Sequence, residues 1–141
     1  MSWSNTGAPS GNRTWSSISS SGSGGLLLAA EQGGQLFAST DNGTSWTAQD
    51  PTPGAGNWTS GSISRDGSTL LAVDGSGFVW TKRNNGSWTA QTYAGMLPWS
   101  ATAVNADGLV MTVGTAPGTI LISTDFGEVA YGCHGVAHES C

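Results

Sequence analysis

Apolar residues in this chain come in short runs, Leu26 to Ala30, Leu70 to Val73 and Leu109 to Val113, separated by stretches of Gly, Ser, Thr and Asn. Runs of four or five residues bounded by turn-forming residues predict strands rather than helices. The first segment of the chain gives strands over Trp15–Ser19, Leu26–Glu31, Gln35–Ser39 and Trp46–Gln49, with a turn at Ser21–Gly25. The next gives Trp58–Ser64, a turn at Arg65-Asp66-Gly67, then Leu70–Val73, Gly77–Thr81 and Trp88–Gln91. The last gives Trp99–Val104, a turn at Ala106-Asp107-Gly108, then Leu109–Val113 and Thr119–Ser123, with no fourth strand.

These three segments are copies of one unit, because Trp15, Trp58 and Trp99 recur at spacings of 43 and 41 residues. The fourth strands of the first two copies are the same four letters, Trp-Thr-Ala-Gln. Four short antiparallel strands recurring every 40 to 45 residues is the arrangement of a β-propeller blade. An immunoglobulin-like sandwich is also all-β, but it predicts no repeat at this period.

Ser39-Thr40-Asp41-Asn42-Gly43-Thr44-Ser45-Trp46 matches the pattern S-x-D-x-G-x-x-W in full. The chain thereby resembles the Asp-box (BNR-repeat) propellers. That resemblance implies a structural turn between the third and fourth strands of a blade. The Asp carboxylate accepts bonds from turn amides, the Gly takes a left-handed backbone and the Trp caps the blade. In the second copy, Thr81-Lys82-Arg83-Asn84-Asn85-Gly86-Ser87-Trp88 reads with Arg83 where Asp belongs and its Gly one place late. In the third, Ser123-Thr124-Asp125-Phe126-Gly127 is regular, but Ala130 stands where Trp is expected.

The expected organisation is a three-blade domain over residues 1–127, with blades at 13–50, 57–93 and 99–127 and a non-repeat tail at 128–141. Met1-Ser2-Trp3-Ser4-Asn5-Thr6 resembles the start of a fourth strand, so residues 1–6 are expected to be a displaced strand that completes a last blade. Three blades are fewer than the four to eight of usual rings. A homodimer giving six blades, each N-terminal strand completing the partner's third blade, is the economical closure. A longer propeller, another ring or an open assembly are the alternatives.

Composition narrows the function. Charged residues make up 9% of the 141 and Gly occurs 22 times, so hydroxyls and amides solvate the surface. The net charge is −5 and the four cations are Arg13, Arg65, Lys82 and Arg83, too few and too scattered for a nucleic-acid groove. No apolar run approaches a membrane span, and Met1–Ser10 has no signal-peptide pattern, which leads to the expectation of a cytoplasmic chain. Cys133 and Cys141 both lie in the tail, so no disulfide framework braces the body. With His134 and His138 they form a Cys/His set of no common zinc spacing, and no metal or cofactor is expected.

The resemblance to sialidase-like repeats invites an enzymatic reading, which fails on inventory. A sialidase site implies three arginines on the substrate carboxylate, a Tyr–Glu nucleophile pair and an acid Asp. Here Arg13 precedes a strand while Arg65 and Arg83 lie in different turns. Another glycoside hydrolase would need two carboxylates facing across a cleft. Asp41, Asp66, Asp107 and Asp125 have turn duties, which leaves Glu31, Asp50 and Asp74. Glu31 and Asp74 follow their second strands at near-equivalent places, with Gly114 in the third copy, where solvated acids are the plain reading. The expectation is a non-enzymatic, self-associating propeller that recognises a carbohydrate or a protein at blade-top loops. Among the seven Trp, Trp80 reads as out of register, replacing Ala38, and with Lys82 and Arg83 it is the candidate ligand-binding set.

Overall fold

A computed structural model of the chain describes residues 1–49, 51 and 56–126. Eleven strands run through them, β1 Trp15–Ser20, β2 Leu27–Gly34, β3 Leu36–Ser39, β4 Thr47–Gln49, β5 Gly56–Ile63, β6 Thr69–Asp74, β7 Val79–Arg83, β8 Trp88–Ala90, β9 Trp99–Val104, β10 Met111–Thr115 and β11 Ile120–Ser123. Among the described residues the single helical element is a 3-10 turn at Thr92–Ala94. The chain is all-β, and no helix among the described residues is long and apolar enough to cross a membrane.

Each repeat is an antiparallel meander. The first unit pairs β1 with β2, β2 with β3 and β3 with β4. The second repeats this as β5 to β8, and the third as β9 to β11. A short bridge, Gln32 to Asn57 and Gly34 to Gly56, ties the first unit's β2 to the second unit's β5. Met1–Thr6 belongs to no strand and Trp3 is fully exposed, while the Gly7 amide donates to the Gly43 carbonyl at 2.9 Å.

The register corrects two equivalences read from the sequence. Trp15, Trp58 and Trp99 pair with Glu31, Asp74 and Thr115, so the third member of the acid position is Thr115 and not Gly114. Leu27, Leu70 and Met111 pair with Ser39, Lys82 and Ser123. Lys82 therefore begins the second copy's turn and Gly86 is in place. The left-handed residues agree, with Asn42, Asn85 and Phe126 at φ 59°, 59° and 62°. Asn84 takes the place of Asp41, and Trp88 arrives one residue early.

Strand alternation sends one set of side chains forward to the next unit and the other back to the preceding one. Leu28, Ala30, Leu36 and Ala38 of the first unit meet Ile63, Leu70, Ala72 and Trp58 of the second. Leu71, Val73 and Val79 of the second meet Trp99, Met111 and Val113 of the third. The core consists of these two seams.

Hydroxyls stitch the inner strands across the same seams. Ser16 Oγ donates to the Trp58 carbonyl at 2.7 Å, and Thr59 Oγ1 to the Trp99 carbonyl at 2.7 Å. The Gly61 and Ile63 amides donate to Ser17 Oγ and Ser19 Oγ at 3.1 and 3.0 Å. Ser62 Oγ donates to the Thr102 carbonyl at 3.0 Å. Bonds of this kind contribute about 0.5–1.5 kcal/mol each. They also explain why the Ser- and Thr-rich first strands of the units, β1, β5 and β9, the inner strands, pack side by side.

Candidate functional site

The turns that follow the inner strands of the three units meet at one end of the fold. The Gly22 amide donates to the Arg65 carbonyl at 2.7 Å, and the Asp66 amide to the Ala106 carbonyl at 3.1 Å. These bonds set the three turns side by side. Each turn is closed from within by its own side chains. Ser64 Oγ donates to Asp66 Oδ1 at 2.6 Å, and the Ser68 amide donates to the same oxygen at 2.9 Å. Asn105 Oδ1 accepts from the Val110 amide at 2.9 Å in the third turn. The Ser68 and Ser64 bonds hold the Asp66 carboxyl below the usual carboxylate range, with the Ser64 hydroxyl the larger cause.

Between the turns lies an open cleft of about 530 Å³, lined by Ser20, Ser21, Gly22, Arg65, Asn105 and Ala106 among others. Arg65 is exposed, and among the described residues it enters no ion pair and no side-chain hydrogen bond. Its stem crosses Gly22, where an added Cβ would stand 2.6 Å from Arg65 Cγ. A residue with a side chain at position 22 would push the guanidinium aside. The cleft thus offers one planar cation suited to bidentate contact with a carboxylate, beside a Ser hydroxyl and the Asn105 amide.

The sequence set Trp80, Lys82 and Arg83 is divided between two faces of β7, with Trp80 and Lys82 on one and Arg83 on the other. Trp80 pairs with Ala72 as Phe37 pairs with Ala29 and Leu121 with Val113, so it fills a regular apolar position of the unit. It packs back on the Ala30 and Leu36 seam, and its indole N–H is buried without an acceptor among the described residues. Lys82 points the same way and donates to Gln49 Oε1 at 3.0 Å. Arg83 lies on the other side, its guanidinium 3.2 Å from the Phe126 ring centroid.

The carboxylates are occupied as well. Glu31 is buried, pairs with Arg13 at 2.6 Å and accepts from the Gln35 amide at 3.4 Å. Asp74, also buried, accepts from the Ser76 and Phe78 amides at 2.8 and 3.4 Å. Neither is the solvated acid expected from its place after a strand, because each closes the turn leading to its third strand. Asp41 binds Ser39 Oγ, Ser45 Oγ and the Ser45 amide at 2.8, 2.6 and 2.8 Å. Asp125 repeats the Ser contact at 2.8 Å, and Asp107 accepts from the Leu109 amide at 3.0 Å. Asp50 and the Cys133, His134, His138 and Cys141 set lie outside the described residues.

Arg65 is the residue that sequence reasoning passed over. Its signal is the variable second place of the Ser64-Arg65-Asp66-Gly67 turn, held by Gly22 and Ala106 in the other copies. A lone cation among small residues marks that turn as different.

No protein-family model and no curated protein matches the sequence. Solved structures do match. A GH74 enzyme of Niastella koreensis is 26% identical, with a TM-score of 0.60, over 80% of this chain and 17% of its own. YCF48 from Cyanidioschyzon merolae is 13% identical, with a TM-score of 0.69, over 87% of this chain and 38% of its own. Both are propeller proteins, and they support a β-propeller fold for this chain. The chain spans less than two fifths of either neighbour's length.

Proposed function

We propose that the three units are blades of an Asp-box propeller, and that the chain is a non-catalytic recognition module for carbohydrate bearing a carboxylate. The observation that carries this reading is Arg65, a guanidinium that enters no ion pair among the described residues and stands in an open cleft lined by hydroxyl and amide groups. A carboxylate can take two parallel N–H bonds from it while Ser and Asn bond sugar hydroxyls. The non-catalytic half of the reading rests on the six described carboxylates, each held by turn donors or by Arg13. The GH74 neighbour, a glycoside hydrolase, lends weight to carbohydrate as the ligand class.

A glycan array probed with the intact chain tests this. Glycans with uronic or sialic acid should bind above neutral ones, Arg65→Gln should lose that preference, and Trp80→Ala should keep it. Binding to no glycan, or a pattern indifferent to Arg65→Gln, overturns the reading.

A further inference from the structure

Both seams inside the chain follow one rule, and the two outer faces carry the parts for a third seam. At each internal seam, the residue after an inner-strand Trp donates to the carbonyl of the next unit's Trp, Ser16 to Trp58 and Thr59 to Trp99. The receiving Trp is then buried, with Trp58 1% and Trp99 0% exposed. A third donor and a third Trp exist without this arrangement. Ser100 Oγ is exposed and, among the described residues, reaches only its own unit's Gly114 carbonyl, at 3.4 Å. Trp15 is 42% exposed, and among the described residues no hydroxyl donates to its carbonyl.

The flanking side chains match in the same way. Ile120 and Ile122 occupy the forward-facing places that Leu36 and Ala38 fill in the first unit and Val79 and Thr81 in the second. Those four are buried, whereas Ile120 and Ile122 are 75% and 67% exposed. On the opposite face of the chain, Ile18 is 71% exposed at the place of Gly61 and Thr102. At the internal seams those places receive Ser17, and Ser60 with Ser62. In the third unit the serines are replaced by Ala101 and Ala103. The polar partners have thus become alkyl on both faces at once, Ile18 on one and Ala101 and Ala103 on the other.

We infer that a second copy of this chain covers both faces, the third unit of each packing on the first unit of the other. Ser100 Oγ donates to the Trp15 carbonyl of the second copy, and Ile18 is buried against Ala101 and Ala103. Two such seams close a ring of six units, within the usual range of four to eight, whereas three copies would give nine. The inference rests on reading the units as blades and is independent of the ligand.

Light scattering on the full chain at tens of micromolar should give twice the 14.3 kDa of one copy. Ile18→Asp buries an unpaired charge in the seam and should weaken association about a hundredfold or more. With Cys133 and Cys141 changed to Ser, the double variant Ile18→Cys, Ala101→Cys should oxidise to a covalent dimer and go no further. A monomeric wild type, a dimer insensitive to Ile18→Asp, or a cross-linked ladder beyond two copies overturns the inference. If the wild type is monomeric while Thr59→Val still destabilises it, the blade reading stands and the ring alone fails.

Discussion

Replacing Trp58 by Ala removes the largest fully buried side chain of the first seam. Trp58 is 1% exposed and packs on Ala30 and Leu36 of the preceding unit and Ala72 of its own. The strands around it are anchored by their own ladders, so the walls cannot collapse fully into the space left. Buried Trp-to-Ala changes of this kind cost about 3–5 kcal/mol, a fifth or more of the roughly 5–15 kcal/mol that holds a domain folded. With a urea dependence of about 1–3 kcal/mol per molar, the midpoint should fall by about 1–5 M. Equilibrium unfolding followed by circular dichroism measures it. Trp3→Ala is the control, since Trp3 is fully exposed and should change stability by less than about 0.5 kcal/mol. A Trp58→Ala midpoint indistinguishable from that of Trp3→Ala would show that the seam is not the core.

The seam hydroxyls give a finer test. Ser16→Ala and Thr59→Val each remove a 2.7 Å bond to a Trp carbonyl, should cost about 0.5–1.5 kcal/mol apiece, and should add in the double variant because they lie on separate seams. The S-x-D-x-G-x-x-W turn predicts an acid response. The Ser45 hydroxyl, then the Ser45 amide and the Ser39 hydroxyl, bring the Asp41 pKa down from 3.8 to about 2. A folded-state pKa below the unfolded one means that the contribution is complete above pH about 4 and is lost as pH falls toward 2. Carboxyl NMR should place the Asp41 midpoint near 2, and Asp41→Asn should remove that part of the acid dependence.

The second strands of the units were legible because each holds a short apolar run closed by turn residues, and the Ser- and Thr-rich first strands because the Trp repeat marks their starts. Gly67 and Gly108, both at φ 76°, sit where the S-x-D-G and A-D-G turns were read. The second copy's turn between its third and fourth strands is misregistered by one residue in the sequence, since aligning on Trp88 hides a deletion between Gly86 and Trp88. That slip made Trp80 look exceptional, although the pairing equates it with Phe37 and Leu121. Burial of Glu31 and Asp74 was not legible, because an acid after a strand looks the same whether it is solvated or capping the next turn. The seam role of Ser16 and Thr59 was hidden for the same reason. A hydroxyl in a strand reads as solvent-facing until the carbonyl that accepts from it, more than 40 residues away in the case of Ser16, is in place. Arg65 needed three turns brought together before its position meant anything.

Recognition of an acidic sugar through Arg65 is tested most directly by calorimetric titration of the intact chain with a glucuronate-containing oligosaccharide at low and high salt. The account predicts measurable binding that weakens as salt screens the exposed guanidinium. It also predicts a loss of about tenfold or more in Arg65→Gln, the worth of a charge-assisted bond. Affinity unchanged by both salt and Arg65→Gln, or no binding by the wild type, would contradict it.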